Sequence, residues 1–153
     1  MRQETKNILL KLDEIDSYET PSDFNYRGIK SNVAKLLKDL IDRFDAIFSV
    51  DDQVQDASFY CDIKVPIDLV INPKPQIGYS IRISNFGQLA TINFESEYSE
   101  STVKTIIQSL ELNGFTYISA DDLNEDYDGN FSDFHNLLGG ETPSWWIRYF
   151  DYL

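Results

Sequence analysis

The spacing of apolar residues changes along this chain from a helical period to a strand period, which limits the folds open to it. Between residues 29 and 47, apolar side chains recur at intervals of three and four, which predicts an amphipathic helix lying on a core. Its start is ambiguous, because either Ser22 or Ser31 could cap it. From Phe59 to Val65, apolar and polar residues alternate, which predicts a strand with one buried side. The fold must therefore combine helices with a sheet.

Further strands are predicted on both sides of a tight turn and at the end of the chain. Residues 77–83 and 89–94 alternate in the same way around "SNFG", which predicts an antiparallel hairpin. The preceding stretch "PIDLVINPKP" is apolar but flanked by prolines, which favours an edge strand or the end of one. Residues 144–153 carry aromatic side chains at odd and even positions alike. They are predicted to form a strand that is either covered on both faces or in contact with a partner.

Two shorter helices are predicted before and after these strands. Helical spacing of apolar residues indicates one around residues 8–15 and one around residues 103–110, which Gly114 ends in a left-handed conformation. "FTYIS" then predicts a short strand, and "FSDFHNLL" a single helical turn. Strands and helices do not alternate regularly, so residues 1–153 are predicted to form a single α+β domain. We expect a mostly antiparallel sheet of about five to six strands, with helices packed chiefly on one face.

Acidic residues dominate the charge of the chain. Its 26 Asp and Glu residues exceed its 13 Lys and Arg residues, for a formal net charge of −13. Between Lys104 and Arg148 there is no Lys or Arg. Such a field repels nucleic-acid phosphates and anionic membranes, and it speeds encounter with a basic protein. Direct binding of nucleic acid or membrane is therefore not expected, although acidity by itself also keeps a protein in solution.

Cysteine content and the N-terminal sequence bear on the compartment. Cys61 is the single cysteine, so no disulfide can form within the chain, which fits a reducing compartment. It falls on the apolar side of its strand, where we expect a buried core thiol rather than a reactive one. No stretch approaches the roughly 20 apolar residues that a membrane span needs, and the start lacks the apolar core of a secretory signal. The expected location is the cytoplasm.

The segment "NEDYDGNFSDFH", residues 124–135, scans like a calcium-binding loop. Aligned on Gly129, the EF-hand pattern places Asn124 where an Asp is usual, and His135 where a bidentate Glu is required. The preceding "FTYISA" also predicts a strand instead of the helix that flanks such loops. We therefore expect neither a metal site nor a cofactor.

Catalytic motifs are equally scarce. His135 is the only histidine, so a Ser-His-Asp, Cys-His or His-based zinc site would have to use it. The chain contains neither a GxxxxGK[ST] nor a GxGxxG phosphate-binding motif. Paired carboxylates could support a small hydrolase, but with 26 acidic residues suitable spacings arise by chance. We predict a protein that is not an enzyme, with no catalytic residue.

An acidic stretch close to an aromatic-rich segment is the pattern that best indicates a function. Protein interfaces use aromatic anchors for affinity and surrounding charge for steering and selectivity. A toxin that cuts nucleic acid must be basic to hold its substrate, so an inhibitor covering its cleft is expected to be acidic. We predict that acidic side chains and two aromatic anchors, Tyr127 and Phe131, contact the partner. The predicted partner-binding residues are Asp121, Asp122, Glu125, Asp126, Tyr127, Asp128, Phe131 and Asp133.

The segments "SFYCDIKVPI", "YSIRISNFGQLATINFE" and "WWIRYFDYL" carry a resemblance to a known group of proteins. Together with the size, acidity and α+β order, they resemble the small cytosolic immunity proteins that protect bacteria from polymorphic toxins, including those of contact-dependent growth inhibition systems. The resemblance implies a non-enzymatic protein that binds one cognate toxin, often at its active site. We expect that toxin to be a basic nuclease domain. Two alternatives stay open, an acidic DNA mimic that inhibits a nucleic-acid enzyme and a small carboxylate-dependent hydrolase.

Overall fold

A five-stranded sheet forms the centre of the computed structural model, which describes residues 1–140 and 142–153. Its strands, in chain order and in spatial order, are β1 (Ser49–Asp51), β2 (Phe59–Lys64), β3 (Ser80–Ser84), β4 (Leu89–Ile92) and β5 (Thr116–Tyr117). Neighbours pair antiparallel, except that β5 runs parallel to β4. The predicted strand at Phe59–Val65 and the predicted hairpin, now β3 and β4, are confirmed.

Helices complete the predicted α+β domain. They are α1 (Gln3–Leu12), α2 (Tyr26–Phe44), α3 (Glu100–Leu112), α4 (Ala120–Leu123), α5 (Phe134–Leu137) and α6 (Trp145–Phe150). The two longest, α2 and α3, pack their apolar stripes on one face of the sheet, so that Leu36, Leu40 and Ile106 join Ile81 in the first core cluster. Cys61 is fully buried in this cluster, as predicted, and burial raises the pKa of its thiol. No helix of the described residues is long and apolar enough to cross a membrane.

Local hydrogen bonds explain where the long helices begin and end. Helix α2 starts after Asn25, whose side chain accepts a hydrogen bond from the Gly28 amide at 2.9 Å. The cap is therefore neither Ser22 nor Ser31, because Asn is an equally good capping residue and the helix starts before the apolar stripe does. Helix α3 starts after Ser99, which caps it, and Gly114 follows its end with a φ of 84°, as the sequence predicted.

Two predicted strands are wrong. The stretch after Pro66 forms a 3-10 turn at Ile67–Leu69, and only Val70 makes a bridge, with Tyr98. The aromatic C-terminal segment forms helix α6 instead of a strand, because Ser144 caps it by accepting from the Ile147 amide at 3.4 Å. Aromatic residues at odd and even positions match a buried helical turn as well as a strand covered on both faces.

A second core cluster lies on the opposite face of the sheet. Successive strand residues point to opposite faces. Ala90 belongs to the first cluster, whereas Leu89 belongs to the second. The second cluster joins α1, the acidic segment and α6, and its members include Leu9, Leu123 and Trp145. This cluster brings both ends of the chain against the acidic segment and positions the candidate site.

Candidate functional site

A buried ion pair ties the acidic segment to both ends of the chain. Arg148 Nε donates to Asp13 Oδ1 at 2.8 Å, and the two side chains are 1% and 0% exposed. The hydroxyl of Tyr127 and the backbone amide of Asn130 donate to Asp13 Oδ2 at 2.5 and 2.6 Å. A buried charge is tolerated only with such partners. One carboxylate at the end of α1 therefore fixes the position of α6 and of residues 127–130.

Gly129 is required by this close approach. A Cβ atom at this position would collide with Asp13 Oδ2 and with the hydroxyl end of the Tyr127 ring. The loop can therefore close around the Asp13 carboxylate only where residue 129 has no side chain. The glycine that makes the segment scan like a calcium loop serves this packing contact.

Tyr127 and Phe131 lie in the second core cluster and not on the surface where the sequence placed them. They are 6% and 2% exposed, and the Tyr127 ring packs against Trp145 and Phe134 with ring centroids 4.7 and 5.1 Å apart. The Tyr127 hydroxyl also accepts from the Phe131 amide at 2.9 Å. Burial raises the pKa of this hydroxyl. Neither ring is accessible as an anchor, which leaves the acidic side chains as the reachable part of the predicted set.

The acidic side chains divide into neutralised and unpaired groups. The N-terminal ammonium pairs with Glu125 and, at 3.6 Å, with Asp122, and Lys6 pairs with Asp128. The remaining three predicted carboxylates are exposed, and none forms an ion pair with a described residue. They are Asp121, Asp126 and Asp133. The segment therefore presents unpaired negative charge on a backbone that the second cluster holds in place.

The geometry does not assemble metal ligands in this segment. Asp128 is engaged by Lys6 and accepts a hydrogen bond from Trp145 Nε1 at 3.3 Å. His135 is exposed on the short helix α5. Across residues 1–140 and 142–153, no three His, Cys, Asp or Glu side chains converge as a metal site would require.

A cleft of about 1140 Å³ opens beside the start of the acidic segment and is named here the α3–α4 cleft. One wall is α3, another is the turn from Phe94 to Tyr98, and a third is the start of α4. Trp146 of α6 also lines it. Asp121 is the one predicted site residue on its walls. Sequence reasoning missed this cleft because its walls come from segments that are far apart along the chain.

Asp13 and Arg148 were also missed, although the sequence holds a signal for each. Asp13 follows the last turn of α1, where the helix dipole disfavours a negative charge unless a partner compensates it. Arg148 is the single Lys or Arg after Lys104 and stands in an aromatic segment. An unfavourably placed acid and an isolated base together indicate an ion pair, but their spacing along the chain gives no hint of contact.

Comparison with known proteins finds no matching family model, no similar curated protein and no similar solved structure. The charges, buried contacts and cavities of the chain are therefore the observations that bear on its function.

Proposed function

We propose that this chain is a non-enzymatic inhibitor of the immunity type, which binds a basic toxin domain through the acidic segment 121–133. The observation that best supports this proposal is that the carboxylates of Asp121, Asp126 and Asp133 are exposed and unpaired. They lie on a segment that hydrogen bonds hold against Asp13. A fixed backbone lowers the entropy cost of ordering a binding surface. The formal net charge of −13 adds a long-range attraction toward a basic partner.

The expected partner is a nuclease domain. An enzyme that grips phosphate groups carries clustered Lys and Arg side chains around its active site. Carboxylates presented on a rigid segment complement such a cluster in charge, and an inhibitor that covers it blocks substrate entry. The buried position of Tyr127 and Phe131 shifts the expected binding energy from aromatic anchors to charge pairs. Binding should therefore depend strongly on salt.

Charge reversal in the acidic segment tests the proposal. The variant carries Asp121→Lys, Asp126→Lys and Asp133→Lys, all at exposed positions. Binding to the cognate basic toxin domain should weaken about a hundredfold, since each exposed charge pair is worth up to ~1 kcal/mol and reversal adds repulsion. Calorimetry at low and high salt gives the affinity and its salt dependence. Survival of cells that express the toxin domain gives the biological readout.

A matched control separates this surface from bulk charge. Asp52→Lys, Asp68→Lys and Glu111→Lys reverse three exposed acids outside the segment, so both variants change the net charge equally. We expect the control to retain nearly full affinity. Equal losses in both variants would show that net charge alone drives binding, and an unchanged affinity of the segment variant would rule out this surface. Displacement of a generic DNA-binding protein from DNA by this chain would instead support the DNA-mimic alternative.

A further inference from the structure

We propose that the α3–α4 cleft binds an organic cation, an alkyl ammonium or guanidinium group on an apolar body. Its volume of about 1140 Å³ is sufficient for a drug-sized ligand. The proposal follows from three separate properties of its walls, namely an excess of carboxylates, buried acceptors that lack partners, and apolar surface.

The walls of the cleft carry more negative than positive charge. Glu95, Glu100 and Asp121 line it, opposed by Lys104 and Arg82. The Arg82 guanidinium is already committed, because Nε and Nη2 donate to the two oxygens of Asp62 at 2.9 and 2.8 Å, and Nη1 donates to the Phe150 carbonyl at 2.9 Å. Glu95 Oε2 accepts a hydrogen bond from the Tyr117 hydroxyl, which leaves its negative charge in place. Three carboxylates therefore stand against one uncommitted ammonium group, which favours a cationic ligand over an anionic one.

A second observation is independent of charge. The Ser80 hydroxyl uses its single hydrogen to donate to Asp62 at 3.2 Å, so it must accept from Asn93 Nδ2, 2.8 Å away. This fixes the orientation of the Asn93 amide and leaves its buried Oδ1 without a partner among the described residues.

The hydroxyl of Tyr98 is in the same situation. Tyr98 is 4% exposed, and its hydroxyl finds no hydrogen-bond partner in the part of the chain that the structure describes. Asn93 and Tyr98 both line the α3–α4 cleft. Buried polar atoms are nearly always paired with protein or water, so these two oxygens are places on the cleft wall where an added hydrogen-bond partner would be stabilised. Asn93 Oδ1 can only accept a hydrogen bond, and the Tyr98 hydroxyl can accept one as well as donate one, which suits ammonium and guanidinium groups because these are donors only.

The remaining walls fit the apolar body of such a ligand. Val103, Ile107 and Trp146 line the cleft, and the Phe94 side chain beside them is 50% exposed. Aromatic faces attract organic cations in addition to providing apolar contact.

Probes of similar size and different charge test the proposal on the intact chain. Phenethylammonium, 2-phenylethanol and 3-phenylpropionate are titrated while amide NMR signals are followed. We expect phenethylammonium to shift the signals of cleft residues such as Ser96 and Gln108, and to bind about tenfold more tightly than 3-phenylpropionate. Equal affinity for the cation and the anion, or shifts confined to other surfaces, would overturn the proposal.

Two double variants localise the effect. Glu95→Gln with Asp121→Asn should weaken binding of phenethylammonium about tenfold, by removing two cleft carboxylates at nearly constant side-chain size. Asp126→Asn with Asp133→Asn removes two carboxylates that do not line the cleft and should leave the affinity unchanged. If the cleft variant binds like the unaltered chain, the assigned carboxylates are not ligands and the proposal fails.

A capped lysine peptide distinguishes the two possible sources of an organic cation, a free amine and a basic side chain of a protein. Preference for phenethylammonium over the peptide indicates a free amine as the natural ligand, whereas the opposite preference indicates a basic side chain of a protein. A failure of both to bind contradicts the proposal. These titrations need no toxin domain, so their outcome is independent of the proposed function.

Discussion

The two core clusters of this chain are held together by different kinds of contact. The first, between α2, α3 and the sheet, consists almost entirely of apolar side chains, such as Leu36 and Ile81. The second encloses an ion pair: Arg148 is bound to Asp13, and its guanidinium lies 4.6 Å from the Phe86 ring centroid. The Tyr149 hydroxyl also donates to the Leu9 carbonyl, at 2.7 Å, within the second cluster.

We infer that the first cluster mainly provides stability, whereas the second also fixes the positions of the segments that it joins. Apolar burial is non-directional, and cores tolerate exchange among residues of similar volume. A buried polar network is directional, and the loss of one member leaves the others unpaired in a medium that penalises them. The second cluster therefore holds three distant segments, α1, the acidic segment and α6, in one relative arrangement. The position of the candidate partner-binding surface depends on this polar network.

Removal of the central carboxylate should have the largest effect. Asp13→Ala leaves the Arg148 guanidinium buried without its counter-ion, and it also removes the acceptor of Tyr127 and of the Asn130 amide. We expect the free energy of unfolding to fall by about 3–5 kcal/mol, measured by urea denaturation. Glu111→Ala, which removes an exposed carboxylate, is the control and should change it by less than about 0.5 kcal/mol.

A double variant shows whether stability depends on the two charges or on the volume that the two side chains fill. Asp13→Leu combined with Arg148→Met replaces the ion pair by apolar groups, and we expect it to be more stable than either single variant, because no charge is left unpaired. Strictly additive losses would contradict the view that the two side chains act as one unit.

Tyr127→Phe tests the link between the network and the acidic segment. The change removes the hydrogen bond to Asp13 and leaves the Phe131 amide without its acceptor, while the ring stays in the cluster. We expect a loss of about 1–2 kcal/mol in the free energy of unfolding and faster amide exchange at Asn130 and Phe131. Tyr152→Phe, at an exposed position, is the matched control. Equal exchange rates in both variants would show that Tyr127 does not hold the segment.

The first cluster could be predicted from the sequence because its elements obey local periods. The apolar stripe of α2 and the alternation in β2 and β3 follow from side-chain spacing alone, and these elements were confirmed. Their pairing also follows from a short turn between β3 and β4. Chain proximity and periodicity together carry enough information to place these elements.

The second cluster could not be predicted in the same way. Its central pair, Asp13 and Arg148, is separated by 135 positions, and no spacing rule connects them. The buried side chains of α6 do follow helical spacing, since Trp145, Arg148 and Tyr149 stand at i, i+3 and i+4. With only six residues, that pattern competes with an alternating one of equal length. Tyr127 and Phe131 were predicted at the surface for a related reason. Their neighbours in the sequence are acidic, and the contacts that bury the two rings come from residues far away in the chain.

The smallest expected effect is the pH dependence that one buried tyrosine of the second cluster contributes. Burial raises the pKa of the Tyr149 hydroxyl well above its ordinary value of about 10. Its stabilising contribution is therefore fully present below pH 10 and is lost as the pH rises, because the unfolded chain releases this proton before the folded chain does. At pH 10 the loss in the free energy of unfolding is ~0.4 kcal/mol for one such tyrosine.

Urea denaturation at pH 8, 9 and 10 measures this contribution, and Tyr149→Phe isolates it. The variant lowers stability at every pH by losing the hydrogen bond to the Leu9 carbonyl, but its decline toward pH 10 should be shallower than that of the unaltered chain. Tyr152→Phe should keep the full decline, since the Tyr152 side chain is exposed in the folded chain. Parallel declines in all three proteins would mean that Tyr149 releases its proton equally well in the folded chain, so that the second cluster is open to water at α6.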